Sequence, residues 1–201
     1  MRVQVPLPPW RTVLTGLIAV EIGLVGLHLI GLAADSALLK LSSEDNVPTW
    51  FSSAQFLLAG LACWVASRYA GPARTAWLTL ALVLTAFSAD EIARFHERFE
   101  EREGADLAIT VVEPILALAV LGVVWSVRRH IQRETAALLA AAMGAIVMSQ
   151  AISTAVEKLE PTGAALESLA MSEEIFEMLT GAFTLTAALV YVELRQSSKN
   201  A

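Results

Sequence analysis

The amino-acid sequence predicts an all-α, polytopic transmembrane bundle of six spans, with the N and C termini both cytoplasmic. Three observations predict it. Apolar residues make up 56% of the chain and charged residues only 17%, against about 25% charge in an ordinary soluble domain. The mean hydropathy is +0.59, and the apolar residues fall in long runs instead of stripes with polar backs. Basic residues gather at alternate ends of those runs. At 201 residues the chain holds one such bundle, a single transmembrane domain over 1–201.

A bilayer core takes about 20 predominantly apolar residues as a helix. The first run that meets this is Thr12–Ala34. Leu32-Ala33-Ala34 resembles a signal cleavage site, but the apolar stretch is too long for a signal segment and contains Glu21 and His28, so the span is read as retained. Asn46-Val47-Pro48 punctuates the chain before the second span, Thr49–Ser67. Gly71-Pro72 precedes the third, Thr75–Ala89. That span is short and is expected to continue as helix through Asp90–Glu101, giving 75–101. Gly104 separates it from the fourth, Leu107–Val127, and the fifth is Thr135–Val156. Pro161-Thr162-Gly163 then breaks the chain. The apolar part of the sixth is Ile175–Val192, with a start expected upstream near Thr162 or Ser172, so that it covers about 165–193. The stretches around Pro6 to Pro9 and after Arg195 read as loosely ordered.

Arg and Lys near span ends set orientation. Arg2 and Arg11 precede the first span, Arg68 and Arg74 lie between the second and third, Arg128, Arg129 and Arg133 between the fourth and fifth, and Arg195 and Lys199 after the sixth. These are nine of the 14 basic residues, all on one side. Lys40, Arg94, Arg98, Arg102 and Lys158 fall on the other side among many acids. An odd number of spans would break this alternation. Trp10, Trp50, Trp77 and Trp125 lie near span ends, where an interfacial aromatic belt is expected.

Composition also excludes classes of function. The single cysteine, Cys63, lies inside an apolar run and offers neither a disulfide framework nor a thiolate metal site within one chain. A net charge of −6 and the lack of a basic patch with interleaved aromatics exclude a nucleic-acid partner. The expected partners are the lipid bilayer and a lipid or other small-molecule substrate.

Orientation gives each acid a depth. Glu134 and Glu193 fall on the cytoplasmic side and Glu21 at mid-span. The other acids occupy the outer half or lie beyond it. Asp90 and Glu91 end the third span, Glu113 is about two turns into the fourth, Glu157 ends the fifth, and Glu173, Glu174 and Glu177 open the sixth. His28 is in the outer third of the first span, and His96 with Glu97 stands just above the third. An ionised side chain at the bilayer centre costs at least about 2.5–3.5 kcal/mol, so such residues face the bundle interior, a partner or water. Helical spacing places Asp90 with Glu97, Glu173 with Glu177, and Glu21 with His28 on common faces. Gln150, Thr154 and Glu157 form a polar stripe on the fifth span, while the second contributes only Ser52, Ser53 and Gln55. Pro114 leaves the Thr110 carbonyl without its helical partner beside Glu113, either as a plain kink or as backbone lining a cavity.

Carboxylates clustered with imidazoles suit a divalent ion such as Zn, Fe or Mn. The expected ligands are Asp90, His96, Glu113 and Glu177, with Glu173, Glu157 and His28 as further candidates. Asp90 and His96 are six apart and need a bend near Ala93 to share one ion. A metal-bound water would be the nucleophile, and Glu91 or Glu174 the general base. His28 is either a ligand or a neutral core histidine bonded to a helix carbonyl. Glu21, with no basic residue at its depth, is either protonated or paired with a polar group. Arg94, Arg98 and Arg102, interleaved with Glu91, Glu97, Glu101 and Glu103, read as a solvated, salt-bridged helix, and His130 as uninvolved.

Asp90-Glu91-x-x-x-x-His96-Glu97 in one span and Glu173-Glu174-x-x-Glu177 in a later one resemble a group of uncharacterised bacterial multi-pass membrane proteins. The resemblance rests on these two motifs and the general layout, and implies no established activity; the compact span plan and short loops suggest a bacterial host, for which the expected location is the inner (plasma) membrane. The intramembrane hydrolases that include alkaline ceramidases need a His-x-x-x-His pair, which His28, His96 and His130 cannot supply. Three functions follow: a metal-dependent membrane enzyme, hydrolytic or redox, acting on a lipid or small substrate; a cation or proton-coupled transporter with Glu21 as a deeper step; and a non-catalytic membrane subunit.

Overall fold

The structure, a computed structural model, describes residues 9–41, 46–93, 122, 124–125 and 129–200, with the backbone alone for Glu157 and residues 198–200. The described residues are helical, with no strand among them. Five helices there are long and apolar enough to cross a membrane. They are α1 (Trp10–Ala33), α2 (Val47–Ser67), α3 (Arg74–Ala93), α4 (Arg133–Leu159) and α5 (Ala164–Asn200). Each coincides with a predicted span. The fourth predicted span, Leu107–Val127, lies almost wholly outside the described residues, as does any continuation of α3 beyond Ala93.

Local chemistry accounts for the ends. The Asn46 side chain accepts the Thr49 N–H at 2.8 Å, and Pro48 occupies the first turn of α2, where a missing N–H costs nothing. Gly71, at φ +51°, opens the short 3-10 turn Gly71–Ala73 that joins α2 to α3. α4 closes on Glu160 at φ +44°, and Gly163 at φ +59° turns the chain into α5. Pro161 between them cannot extend a helix.

Of the two starts expected for the last helix, near Thr162 or Ser172, the first is found: the helix begins at Ala164, and the Ser172 hydroxyl donates to the Ser168 carbonyl at 2.7 Å inside it. One expectation is corrected: the chain is not loosely ordered after Arg195, because α5 runs on to Asn200. At 1.5 Å per residue its 37 residues reach about 55 Å, well beyond a hydrocarbon core of about 30 Å.

Contacts fix the direction of each helix. Ser53 bonds to Ser88, and Gly60 lies against Ala81 and Thr85, so α2 and α3 are antiparallel. Gln55 abuts Gly181 and Tyr69 meets Gln196, so α2 and α5 are parallel. Ser149 meets Glu177 and Arg195 meets the His130 carbonyl, so α4 and α5 are antiparallel. α1 runs against α5. The bundle therefore has an acidic end, with Asp35, Asp90, Glu91 and Glu173, and a basic end, with Arg11, Arg68, Arg74, Arg133 and Arg195. α3 and α4 point the same way: the chain leaves α3 at the acidic end and enters α4 at the basic end.

Small residues bring α2 against its neighbours. A methyl on Gly60 would lie 2.8 Å from Thr85 Oγ1 and 3.1 Å from the Ala81 carbonyl, and Ala59, Cys63 and Ala66 are buried along the same helix. Helices in a bilayer gain little from excluding lipid, so such close packing supplies much of their adhesion. Toward the basic end the core is aromatic. Trp77, which was expected in an interfacial belt, is instead 1% exposed and packs on Tyr191 with ring centroids 5.0 Å apart. Arg68 lies over Trp64 at 4.3 Å, Arg11 over Trp10 at 5.2 Å and Arg195 over Tyr191 at 5.3 Å.

Candidate functional site

The segment after α1 folds back over the acidic end of the bundle. Gly31 permits it, since a methyl there would meet the Leu39 backbone at 3.0 Å. His28, 1% exposed, accepts the Leu41 N–H on Nδ1 at 2.9 Å. Nδ1 therefore serves as an acceptor, and the ring proton sits on Nε2, which can only donate in this tautomer. The partner on Nδ1 is a loop amide, which neither alternative expected for His28, a metal or a helix carbonyl, had named. Leu41 is driven into the bundle beside Leu24 and Met178. Outside, Asp35 at φ +49° accepts a hydrogen bond from Lys40 at 3.0 Å. That bond, and then the Lys40 charge, hold its carboxyl below the usual carboxylate range.

Asp90 and Glu91 occupy the last turn of α3, and Glu173, Glu174 and Glu177 lie on the stretch of α5 nearest the same end. All five are half-buried. Glu173 and Glu177 are four residues apart, hence on one face. Glu177 Oε1 accepts the Ser149 hydroxyl of α4 at 3.1 Å. This bond ties the acidic stretch of α5 to a buried position of α4.

A second acidic position lies deeper. Glu21 is at the middle of α1 and 4% exposed. Gln55 of α2, 2% exposed, donates from Nε2 to Glu21 Oε1 at 2.9 Å. Of the two alternatives expected for Glu21, the polar partner is present. Gly181 of α5 makes room for it: a methyl there would stand 3.1 Å from Gln55 Cγ. Gln55 Oε1 is buried without a hydrogen-bond partner, as is the Ser52 hydroxyl one turn nearer the acidic end.

Of the predicted site residues, Asp90, Glu91, Glu173, Glu174, Glu177 and His28 all lie toward the acidic end. His96 and Glu113 fall outside the described residues, and so does the Glu157 side chain. Among the described residues, no three of His, Cys, Asp and Glu gather closely enough to hold a metal ion. Sequence reasoning missed Ser149, which looks like an ordinary small residue of an apolar span. It also missed Gly181, whose role exists only because another helix arrives there. Gln55 carried a signal, as an amide in an otherwise apolar run.

No curated protein and no solved structure matches this chain. A family model described as a domain of unknown function, DUF8692, matches residues 13–192. That stretch takes in all five helices but for the first residues of α1 and the last of α5, with both acidic positions, and the chain belongs to this family.

Proposed function

We propose that this is a six-span protein of the inner (plasma) membrane that binds a divalent cation at its acidic, outer-facing end, as a metal-dependent enzyme acting on a lipid or small substrate. What supports a sixth crossing is the parallel course of α3 and α4: the residues between them have to return from the acidic to the basic end, and Leu107–Val127 is the apolar run in that stretch. Both termini then lie on the basic side, which the positive-inside rule makes cytoplasmic. The observation that carries the cation reading is the half-buried acidic face of α5, anchored through Glu177 to Ser149 at 3.1 Å. Carboxylates held near one another in a bilayer are stabilised by a cation. The described acids do not complete a coordination shell among themselves, so Glu177 and Asp90 would be joined by His96 and Glu113. A bound ion would supply an activated water, and Glu91 or Glu174 would accept its proton.

Metal analysis of the purified chain tests this. Stoichiometric Zn, Fe or Mn is expected, reduced by about tenfold or more in Glu177→Gln and Glu113→Gln and retained in Glu134→Gln at the opposite end. Folded protein free of metal overturns the reading. A cation or proton-coupled transporter is the second reading, and the pairing of Glu21 with Gln55 at half depth favours it. There the outer acids form an entry and Glu21 a deeper step. Ion flux in liposomes that is lost in Glu21→Gln, from protein without bound metal, would establish it over the first. A subunit without activity of its own would show neither metal nor flux.

A further inference from the structure

We propose that Glu21 and Gln55 form a proton-binding site at the middle of the bundle, in which the neutral Glu21 acid and the Gln55 amide close a ring of two hydrogen bonds. This deepens the second reading at one residue and rests on the bundle crossing a bilayer, but not on a metal at the acidic end.

One side of the ring is already in place, the Gln55 Nε2–H donating to Glu21 Oε1 at 2.9 Å. The other needs a donor for Gln55 Oε1, which is buried without a partner. A carboxylate has no hydrogen to offer, whereas a carboxylic acid has one O–H. Proton uptake by Glu21 supplies it: one O–H bond forms on Oε2, no group leaves, and the new donor satisfies the orphaned amide oxygen. An unsatisfied buried acceptor is costly, and an unpaired charge at mid-bilayer is costlier still. Both penalties are removed by the same proton. Gly181 matters because a methyl there would stand 3.1 Å from Gln55 Cγ, and the side chain would have to shift by a few tenths of an ångström to accept it.

Among the described residues, the titratable groups nearest Glu21 are each a turn or more away along their helices. On α1 itself the nearest titratable group is His28, two turns toward the acidic end and engaged with Leu41. On α5 it is Glu177, one turn before Gly181 and bonded to Ser149. On α2 it is Cys63, two turns toward the basic end and buried. Among the described residues, no cation is bonded to Glu21.

The site also has a direction. Ser52, 0% exposed with an unpartnered hydroxyl, stands one turn from Gln55 on the acidic side. Toward the basic end the same face of α2 offers Ala59, Cys63 and Ala66, with no oxygen to carry a proton. The proton therefore enters from the acidic end.

Infrared spectroscopy of the full chain in lipid nanodiscs tests the proposal. At neutral pH the wild type is expected to show a protonated-carboxyl C=O stretch that is absent from Glu21→Gln, a variant whose amide reproduces both hydrogen bonds and keeps the fold. Gln55→Leu is expected to move the band up to the frequency of an unbonded acid. Glu21→Asp, too short to reach Gln55, is expected to do the same and serves if Glu21→Gln does not fold. A wild-type band that survives in Glu21→Gln, or one whose frequency ignores both other variants, overturns the ring. Ser52→Ala is expected to slow deuterium exchange of this proton several-fold, and an unchanged rate overturns entry from the acidic end. Metal content in Glu21→Gln reports separately on the outer site and is expected to match the wild type.

Discussion

At Gly60 the constraint is a hydrogen-bonded pair of oxygens facing the missing methyl. Thr85 Oγ1 is already committed to the Ala81 carbonyl at 2.8 Å, so it cannot swing away without breaking that bond. Gly60→Val is therefore expected to cost about 1–3 kcal/mol, the usual penalty of overpacking, read as a lower melting temperature in detergent. Gly23→Val is the control, since a methyl there meets nothing within 4 Å, and it should melt with the wild type. Equal losses in both would mean that α2 and α3 do not approach as closely as Gly60 allows. Gln55 illustrates the opposite constraint, a polar group kept in an apolar wall because another helix brings a partner to it. Its amide was visible in the sequence as an anomaly. That its partner is Glu21, 34 residues earlier, was not, because helical periodicity gives a residue its face and not its neighbour.

Among the elements, the α1–α2 connection does more than join two spans. Asn46 serves both sides of it, capping α2 through Oδ1 and donating from Nδ2 to the Lys40 carbonyl at 2.7 Å. Losing an N-cap of this kind costs about 1 kcal/mol. Asn46→Ala is expected to lower stability by at least that amount and to speed hydrogen exchange at the Thr49 and Leu41 amides together. Faster exchange at Thr49 with Leu41 unchanged would separate the cap from the loop and refute the coupling. The hydroxyls of α5 follow a different rule. Thr180, Thr184 and Thr186 each donate to the carbonyl four residues back, at 2.8–2.9 Å. Their donors are satisfied within the helix, so a polar residue there does not mark a site. Glu177, too long to bond its own backbone in this way, reaches across to Ser149 of α4.

For the molecule as a whole, the parity of crossings decides how the acidic end meets the outside. Six crossings put Arg11 and Ser197 on one side and Thr162 on the other. Cys63 is fully buried, so single cysteines can be added without a competing label. In intact cells an impermeant maleimide is expected to modify Thr162→Cys and to spare Arg11→Cys and Ser197→Cys until the membrane is opened. Labelling of Arg11→Cys but not Ser197→Cys would mean an odd number of crossings. The separation of acidic from basic residues along the bundle sets the half-buried acids of α3 and α5 at one end and the arginines at the other.

The sequence by itself determined the helical class, the five described spans and the sorting of charge between the two ends. All three follow from composition, run length and punctuation, which act locally along the chain. Even the break at Pro161 to Gly163 was legible, because positive φ has few acceptable residues. Tertiary structure alone decided that His28 serves the Leu41 amide, that Trp77 is a core residue, that Ser149 holds Glu177, and that Glu21 meets Gln55 beside Gly181. Each of these depends on which helix faces which and at what height. Apolar helices of similar length have many nearly equivalent ways to pack, and the choice among them rests on close contacts between residues far apart in the chain.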